Sequence, residues 1–263
     1  MSNFISLQKG EVFRLQMNDL AGRNRVCSAR LIDFHAALDV VEATPSARVL
    51  VVSGLPQVFS AGFDLGELAR EPSRIAERVL AFGSLCERLA KFPLPTIAEM
   101  AGSAWGGGVD LALSCRFRLG TRTAELSIPA ARMGLHYHPG GVRRLAKCLG
   151  GDLAQWLLFS GLPLRGERLH SSPFFQQVLD GPESLGRAVS DLAARTARIE
   201  PHLVRDLTAS VAESRLVDLA PAALAANVIK LQEMRVHASA GTEELAHSLR
   251  DWQLKKGEAS LER

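Results

Sequence analysis

The sequence has few cysteines, and they are not spaced as a metal site or a disulfide framework requires. The four, Cys27, Cys86, Cys115 and Cys148, lie far apart and form no C-x-x-C pair. Zinc sites and small disulfide-bonded domains carry closely spaced cysteines. We therefore expect no metal site and a reducing, cytoplasmic setting.

An excess of charge of one sign is also absent. The chain has 31 basic and 28 acidic residues, and the basic residues are mostly scattered arginines. Nucleic-acid binding needs a basic patch or stripe, which this distribution does not provide. No apolar run reaches the roughly 18 residues of a membrane helix, and the first residues alternate like a strand, unlike a signal peptide. We expect neither a nucleic-acid nor a membrane partner.

The sequence does contain enough apolar residues for a core, with strand and helix patterns in alternation. Of the 263 residues, 47% are hydrophobic. Buried-type strands at 48–53 and 95–100 are each followed by a loop and a helical pattern, which favours an α/β fold with parallel strands. From about residue 188 the pattern is nearly all helical. We expect a core at 1–195 and a helical region at 196–263.

Local patterns predict individual elements. Two short strands are expected within residues 1–20, and one helical stretch across 65–91. A helix is expected to begin at Ser28, with Ser28 as its cap. Its buried face is predicted from residues at helical spacing, Leu31, Phe34, Leu38 and Val41.

Two loops share one arrangement, in which small residues lie between a buried strand and a helix start. The first reads FSAGFDL at 59–65, and the second reads AGSAWGGGVD at 101–110. Free N–H groups at a helix start carry partial positive charge, and glycine lets a ligand approach the backbone closely. Two such loops side by side would supply the paired donors of an oxyanion hole. Two purely structural tight turns are the alternative.

Phosphate binding is the competing functional interpretation of the second loop. A P-loop needs Lys and then Ser or Thr after its last glycine, whereas Gly108 is followed by Val109 and Asp110. A dinucleotide G-x-G-x-x-G is also absent here. An acid in the first helical turn would repel phosphate, so these residues favour a neutral ligand.

These motifs resemble the signature of the crotonase (enoyl-CoA hydratase/isomerase) superfamily. The segments at 59–65, 93–98 and 101–108 follow the family pattern in residue type and spacing. The resemblance implies an α/β spiral of ββα repeats with a C-terminal helical trimerisation region, and so a homotrimer or hexamer. It also implies a substrate held as a thioester of coenzyme A or of a carrier-protein phosphopantetheine, with no tightly bound cofactor.

Carried over residue by residue, the resemblance implies that the backbone N–H groups of Phe63 and Gly107 hold the thioester oxygen as it gains negative charge. The substrate site is expected to include their neighbours and two arginines at positions where family members often contact the nucleotide: Ala61, Gly62, Asp64, Gly106, Arg23 and Arg25. For the two arginines, an ordinary solvated surface position is the alternative.

Only half of the acid/base pair of the family's hydratases is present. Asp110 stands at the place of the first glutamate, and Ala130 replaces the second. Hydration needs an acid/base pair around the double bond, so it is disfavoured. For Asp110 the alternative is a first-turn acid that the helix dipole favours.

The loop His136-Tyr137-His138 suggests another reaction. Tyr137, the only tyrosine, falls where decarboxylating family members such as methylmalonyl-CoA decarboxylase carry a loop tyrosine. Departing CO₂ itself generates the enolate, so those enzymes need no strong base. We predict a catalytic role for Tyr137 and a substrate contact for His138, with loop or subunit contacts as the alternative. Phe63 departs from this pattern, because methylmalonyl-CoA decarboxylase has histidine there.

The segment at 232–237 resembles the C-terminal helix of decarboxylating hydratase-like enzymes of polyketide β-branching. A histidine at the place of His237 lies in their active site, although their catalytic lysine has no match within residues 71–80. A structural helix histidine is the alternative. The sequence therefore predicts a lyase acting through a thioester enolate, with decarboxylation ahead of hydration, dehydration or isomerisation. A non-catalytic acyl-binding or assembly subunit is the alternative from a different class.

Overall fold

Two β-sheets and eight helices make up the part of the chain that this computed structural model describes, residues 4–214 with residues 234 and 247. The strands are β1 (Ile5–Gln8), β2 (Val12–Met17), β3 (Val49–Ser53), β4 (Val58–Ser60), β5 (Thr96–Met100), β6 (Ser103–Trp105), β7 (Phe117–Thr121), β8 (Leu126–Ser127) and β9 (Gln177–Leu179). The helices are α1 (Ser28–Glu42), α2 (Leu65–Arg70), α3 (Ile75–Ala90), α4 (Gly107–Leu113), α5 (Pro139–Gln155), α6 (Gly166–His170), α7 (Pro182–Ala197) and α8 (Pro201–Ser214).

The chain alternates between a large and a small sheet. The large sheet has the order β1-β2-β3-β5-β7-β9, and the small sheet has the order β4-β6-β8. Apart from the antiparallel pair β1-β2, all the strand pairs are parallel. In β3-β4, β5-β6 and β7-β8 the first strand joins the large sheet and the second joins the small one, and helical structure follows. This arrangement confirms the predicted α/β architecture of ββα repeats.

Both faces of the large sheet are covered. On one face Leu50 and Val52 of β3 point into the main core with helices α1 and α3. On the other face α7 packs against alternate strand residues, and this second cluster contains Val49, Val51, Ile97, Leu119, Leu185, Val189 and Ala193. The expected boundary at 195/196 lies inside the last turn of α7. Among the described helices, none is long and apolar enough to cross a membrane.

Helix α1 forms where it was predicted, but its start differs from the prediction. The buried face contains the four expected residues together with Ala37. Ser28 is the first helical residue and not the cap, so that prediction was wrong. Its N–H donates to Glu67 Oε2 at 2.9 Å, and its hydroxyl donates to Glu67 Oε1. A carboxylate from α2, distant in sequence, therefore satisfies the helix N-terminus that a local cap was expected to satisfy.

The helical stretch expected across 65–91 is interrupted. Helix α2 ends at Arg70, a turn of 3₁₀ helix follows at Pro72–Arg74, and α3 begins at Ile75. Proline has no N–H to donate and disfavours helical backbone in the residue before it, which explains the break. The short strands β4, β6 and β9 were not predicted. His237 lies outside the described residues, as do the helical patterns predicted beyond α8.

We expect Leu185→Ala to lower the free energy of unfolding by about 2–4 kcal/mol, because it leaves a cavity between α7 and the sheet. Arg187→Ala is the matched control on the same helix, where the side chain is exposed and pairs only with exposed Glu183. That change should cost less than about 0.5 kcal/mol. Urea denaturation measures both, and equal losses would show that α7 is not packed as described.

Candidate active site

One large cavity lies beyond the carboxyl ends of the small sheet. Strand β4 leads into 61–66, β6 into 105–107 and β8 into 129–138, and each of these segments contributes lining residues. Because β4, β6 and β8 are parallel, their carboxyl ends meet at one edge, where ligands of α/β proteins commonly bind. The cavity volume is about 1120 Å³, which is enough for an elongated ligand.

The two loops singled out in the sequence touch each other at this edge. Gly62 has φ of +78°, and a methyl group there would lie 2.5 Å from the Gly107 nitrogen. Phe63, the next residue, and Gly107, the first residue of α4, both line the cavity. Within the described residues, neither the Phe63 N–H nor the Gly107 N–H donates to a protein acceptor. Two unpaired amides are thus brought together, as paired donors to one oxygen require.

Asn24 fixes strand β4, which leads into the first of these loops. The sequence did not predict this role. Asn24 is fully buried in a left-handed conformation with φ of 51°. Its Nδ2 donates to the carbonyl oxygens of Val58 and Phe59 at 3.2 and 3.0 Å, and its own carbonyl accepts from Ser60 Oγ at 2.8 Å. Asparagine tolerates this backbone conformation well, but no motif marks the position. The loop before α1 is therefore fixed to strand β4.

Three arginines line the cavity, Arg23, Arg25 and Arg70, and the substrate contact expected for Arg23 and Arg25 stays a prediction. Arg23 and Arg70 are exposed, and both line the cavity. Arg25 is half-buried and pairs with Asp64 at 3.2 Å, while the same Asp64 oxygen accepts the Gly66 N–H at the start of α2. Asp64 therefore acts as a helix cap here. The exposed guanidinium groups suit an anionic group such as a phosphate.

Asp110 is placed differently from the residues around the two loops. It is fully buried and is not among the residues that line the cavity. Arg144 binds it through two nitrogens, at 2.8 and 2.9 Å, and His138 Nε2 lies 2.5 Å from Oδ2. Burial alone would raise its pKa, but His138 and Arg144 outweigh burial and hold the pKa well below the ordinary carboxyl value. Asp110 is therefore a fixed anion behind the cavity, and its predicted catalytic role stays a prediction.

His138 connects this anion to the cavity, which it lines. Its ring caps α5, with the Gly141 N–H donating to Nδ1 at 3.3 Å. Because a backbone amide can only donate, Nδ1 is the acceptor and Nε2–H points to Asp110. Of the two side chains that bind Asp110, only His138 is among the described lining residues.

Tyr137 lines the cavity beside the Gly106–Gly107 turn. Its hydroxyl donates to the Gly106 carbonyl oxygen at 2.9 Å. Burial, followed by the nearby charge of Asp110, raises the pKa of the phenol well above its ordinary value. The hydroxyl therefore keeps its proton. In the same loop His136 Nδ1 lies 2.6 Å from the Tyr137 carbonyl oxygen.

The rest of the lining is short of carboxylates. Ala130 lines the cavity at the position where the second glutamate was missing from the sequence. Among the described residues that line it, Asp64 is the only carboxylate, and Asp64 is occupied by Arg25 and the α2 cap. The apolar part of the wall is formed by side chains such as Leu68, Val79, Phe82, Met133 and Leu135. The described lining thus offers no free base of the carboxylate type.

One group of potential metal ligands occurs within the described residues, formed by Cys86, Asp110 and His138. All three are buried, but the carboxylate is already bound by Arg144 and His138. Burial, followed by the Asp110 charge, raises the pKa of the Cys86 thiol well above its usual value, whereas a metal needs the thiolate. The neighbouring guanidinium would also repel a cation. We interpret the group as a hydrogen-bonded support for His138.

Comparison with known proteins finds a matching family model and similar sequences. The family model described as enoyl-CoA hydratase/isomerase matches residues 8–248. Mouse mitochondrial methylglutaconyl-CoA hydratase is 29% identical over 210 residues, which is 78% of this chain and 67% of that protein. The 2,3-dehydroadipyl-CoA hydratase of Escherichia coli is 29% identical over 219 residues, covering 83% and 85% of the two chains.

The fold is shared with solved structures as well. A crystal structure of methylmalonyl-CoA decarboxylase superposes with a TM-score of 0.82 over 97% of both chains, at 19% identity. That identity supports the fold alone. The matches span 53% to 67% of the length of several mitochondrial relatives.

We expect Gly62→Ala to disturb the site far more than Gly166→Ala. Both glycines have positive φ, but a methyl group at Gly166 meets nothing within 4 Å, whereas at Gly62 it collides with the Gly107 nitrogen. Gly166→Ala should cost about 1 kcal/mol from backbone strain alone. Gly62→Ala should cost more and lower turnover of a thioester substrate by about a hundredfold or more. Unfolding and rate measurements test this, and equal effects would refute the close contact.

Replacing Arg144 should destabilise the protein strongly because it leaves the buried Asp110 charge poorly paired. We expect Arg144→Met to cost about 3–5 kcal/mol in urea unfolding at neutral pH. Arg143→Met, at the exposed neighbouring position, should cost under about 0.5 kcal/mol. The stability from a carboxyl with a lowered pKa is lost as pH falls, so the difference between wild type and Arg144→Met should shrink below about pH 4. A difference that grows in acid would contradict this arrangement.

Proposed function

This chain belongs to the enoyl-CoA hydratase/isomerase family, and we propose that it decarboxylates an acyl thioester that carries a carboxylate on its α-carbon, as in a malonyl or methylmalonyl group. One observation carries the proposal. Two unpaired amides, of Phe63 and Gly107, meet at a cavity whose described lining offers no free carboxylate. Such a site can stabilise an enolate but lacks the carboxylate pair that hydration uses.

The proposed reaction uses the two amides and needs no lining carboxylate. The bond between the α-carbon and the carboxylate breaks, and CO₂ leaves. The electron pair of that bond stays on the α-carbon and forms the enolate, with negative charge on the thioester oxygen. The Phe63 and Gly107 N–H groups bind that oxygen, and one such donor contributes about 3–4 kcal/mol in related sites. The apolar side chains of Phe82 and Leu135 line the cavity, and desolvation of the carboxylate favours its departure as neutral CO₂. No base is needed in this step.

A proton must then be added to the α-carbon. Asp110 is a buried anion and has no proton to give. The Tyr137 hydroxyl is engaged as hydrogen-bond donor to the Gly106 carbonyl oxygen. His136 and His138 belong to the same loop, and both line the cavity. His138 is not placed to deliver this proton, because Nδ1 accepts the Gly141 N–H and Nε2–H points to Asp110. We assign the proton delivery to His136 or to a water that enters the cavity.

Hydration of an enoyl thioester is the second candidate, since the mouse and E. coli relatives are hydratases by name. It would need a water activated by a group other than a lining carboxylate of the described residues. For that task His138 would have to use Nδ1, which already accepts the Gly141 N–H at 3.3 Å. The alternatives therefore differ in whether the first chemical step requires a base.

The thioester handle is proposed from the arginines. Exposed Arg23 and Arg70 lie on the lining near Asp64 and suit the phosphates of coenzyme A or of a phosphopantetheine arm. Assembly into a homotrimer or hexamer and a cytoplasmic location stay predictions from the sequence.

Incubation with malonyl-, methylmalonyl- and crotonyl-thioesters, each on coenzyme A and on a carrier protein, separates these functions. We expect mass spectrometry to show loss of CO₂ from a carboxylated substrate, with isotope-labelled CO₂ released from a labelled carboxylate. Addition of water to the crotonyl group without decarboxylation would favour the hydratase instead. Saturable binding without any turnover would favour the non-catalytic acyl-binding role. Heat-denatured protein is the control for spontaneous decarboxylation.

A further inference from the structure

We propose that Tyr137 is a positioning residue of the oxyanion site, which acts on the substrate through the Gly106–Gly107 peptide and not by donating its own proton. The inference rests on the proposed function, because it assumes that the Gly107 N–H binds the thioester oxygen. It changes the role expected for Tyr137 from the sequence, where the hydroxyl was predicted to act directly on the ligand.

The argument begins with one peptide group. The Tyr137 hydroxyl donates to the Gly106 carbonyl oxygen at 2.9 Å. The amide of Gly107 belongs to the same peptide unit, whose atoms are coplanar. Whatever fixes the carbonyl end of this plane therefore fixes the direction of the N–H at its other end. At that other end the N–H makes no hydrogen bond within the described residues.

This peptide needs an external restraint. Gly106 has φ of +52° and ψ of −124°, a backbone conformation that is open to glycine and rare for other residues. Its N–H donates to the Ser127 carbonyl at 2.8 Å, and its carbonyl also accepts the Val109 N–H at 3.1 Å. The Tyr137 hydroxyl is thus the second donor on this oxygen. Without it the plane would be held by one ordinary helical hydrogen bond.

Two hydrogen bonds to the Gly106 carbonyl oxygen also change the electron distribution of the peptide that contains the Gly107 N–H. Hydrogen bonds to a carbonyl oxygen draw electron density from the peptide and make its N–H a stronger donor, by about 10–30% per bond. The Tyr137 hydroxyl therefore both fixes the direction of the Gly107 N–H and makes it a stronger hydrogen-bond donor. The gain is larger for a charged enolate oxygen than for a neutral carbonyl, because charge-assisted hydrogen bonds are stronger.

The ring of Tyr137 is itself held in place. A side chain at Gly141, in the first turn of α5, would lie 2.6 Å from Cε1 of this ring. The rings of Tyr137 and His138 lie 5.4 Å apart, tilted by 34°. The hydroxyl also keeps its proton, since burial raises the pKa of the phenol well above its usual value. Tyr137 is therefore a permanent donor on the peptide.

Vibrational spectroscopy tests the proposal directly. A non-reactive thioester with an isotope-labelled carbonyl is bound to wild type and to Tyr137→Phe, and the carbonyl stretch is compared with that in water. We expect a shift to lower frequency in wild type, part of which is lost in Tyr137→Phe. The variant should also bind a nitronate thioester, which mimics the enolate, about three- to tenfold more weakly, with little change for a ground-state thioether analogue.

Each outcome bears on a different claim. No shift in wild type would refute the proposed oxyanion site itself. A wild-type shift that Tyr137→Phe leaves intact would refute the positioning role. A changed pH profile of turnover, with unchanged nitronate binding, would identify Tyr137 as a proton donor and overturn the proposal as well.

A second measurement needs no variant, because Tyr137 is the only tyrosine of the chain. With ring-labelled tyrosine, the phenol C–O stretch reports this one residue in the full-length protein. We expect this C–O stretch at the frequency typical of a phenol that donates a hydrogen bond, and we expect no change in that frequency when the nitronate thioester binds. A switch of that band on binding would show that the hydroxyl turns to the ligand, which would contradict the proposal. Ultraviolet titration should also find no phenolate near pH 10, the usual phenol range.

Discussion

The constraint on which the rest of the site depends is the contact between two pieces of backbone. Gly62 lies against the Gly107 nitrogen so closely that a single methyl group would not fit. Here the two amides come from separate loops, which must approach within a few ångströms to serve one oxygen, and side chains would keep those loops apart. The parallel strands β4 and β6 bring the loops to one edge. Asn24 and the Gly106 carbonyl contacts then fix their direction.

A second constraint is the buried charge behind the cavity. Asp110 is fully buried yet ionised, and Arg144 and His138 together occupy its oxygens. A carboxylate in this state is a poor acid or base because its proton affinity is so low. It can still orient the imidazole of His138, whose Nε2–H points to it. The anion therefore contributes through His138, which lines the cavity.

Local patterns in the sequence predicted what depends on neighbouring residues. The period of apolar residues predicted α1 and its buried face. The strand patterns with their glycine loops predicted the two loops that line the cavity, and the family resemblance selected Phe63 and Gly107 within them. Contacts between distant residues were not predictable from such patterns. Glu67 caps α1 from 39 positions away, and Arg144 pairs with Asp110 across 34 positions. Asn24 could not be found because its partners are backbone carbonyls, which any sequence supplies.

The choice of reaction within such a fold depends on what surrounds the oxyanion site more than on the site itself. An enolate on the thioester oxygen is common to decarboxylation, hydration and isomerisation, so the same two amides serve all three. What separates the reactions is the source of the electron pair. A lining carboxylate can take an α-proton or activate water, whereas a substrate that loses CO₂ brings its own electrons. With alanine at position 130 and Asp110 absent from the lining, the described lining offers no free carboxylate for that task, which is the reason for proposing a substrate that loses CO₂.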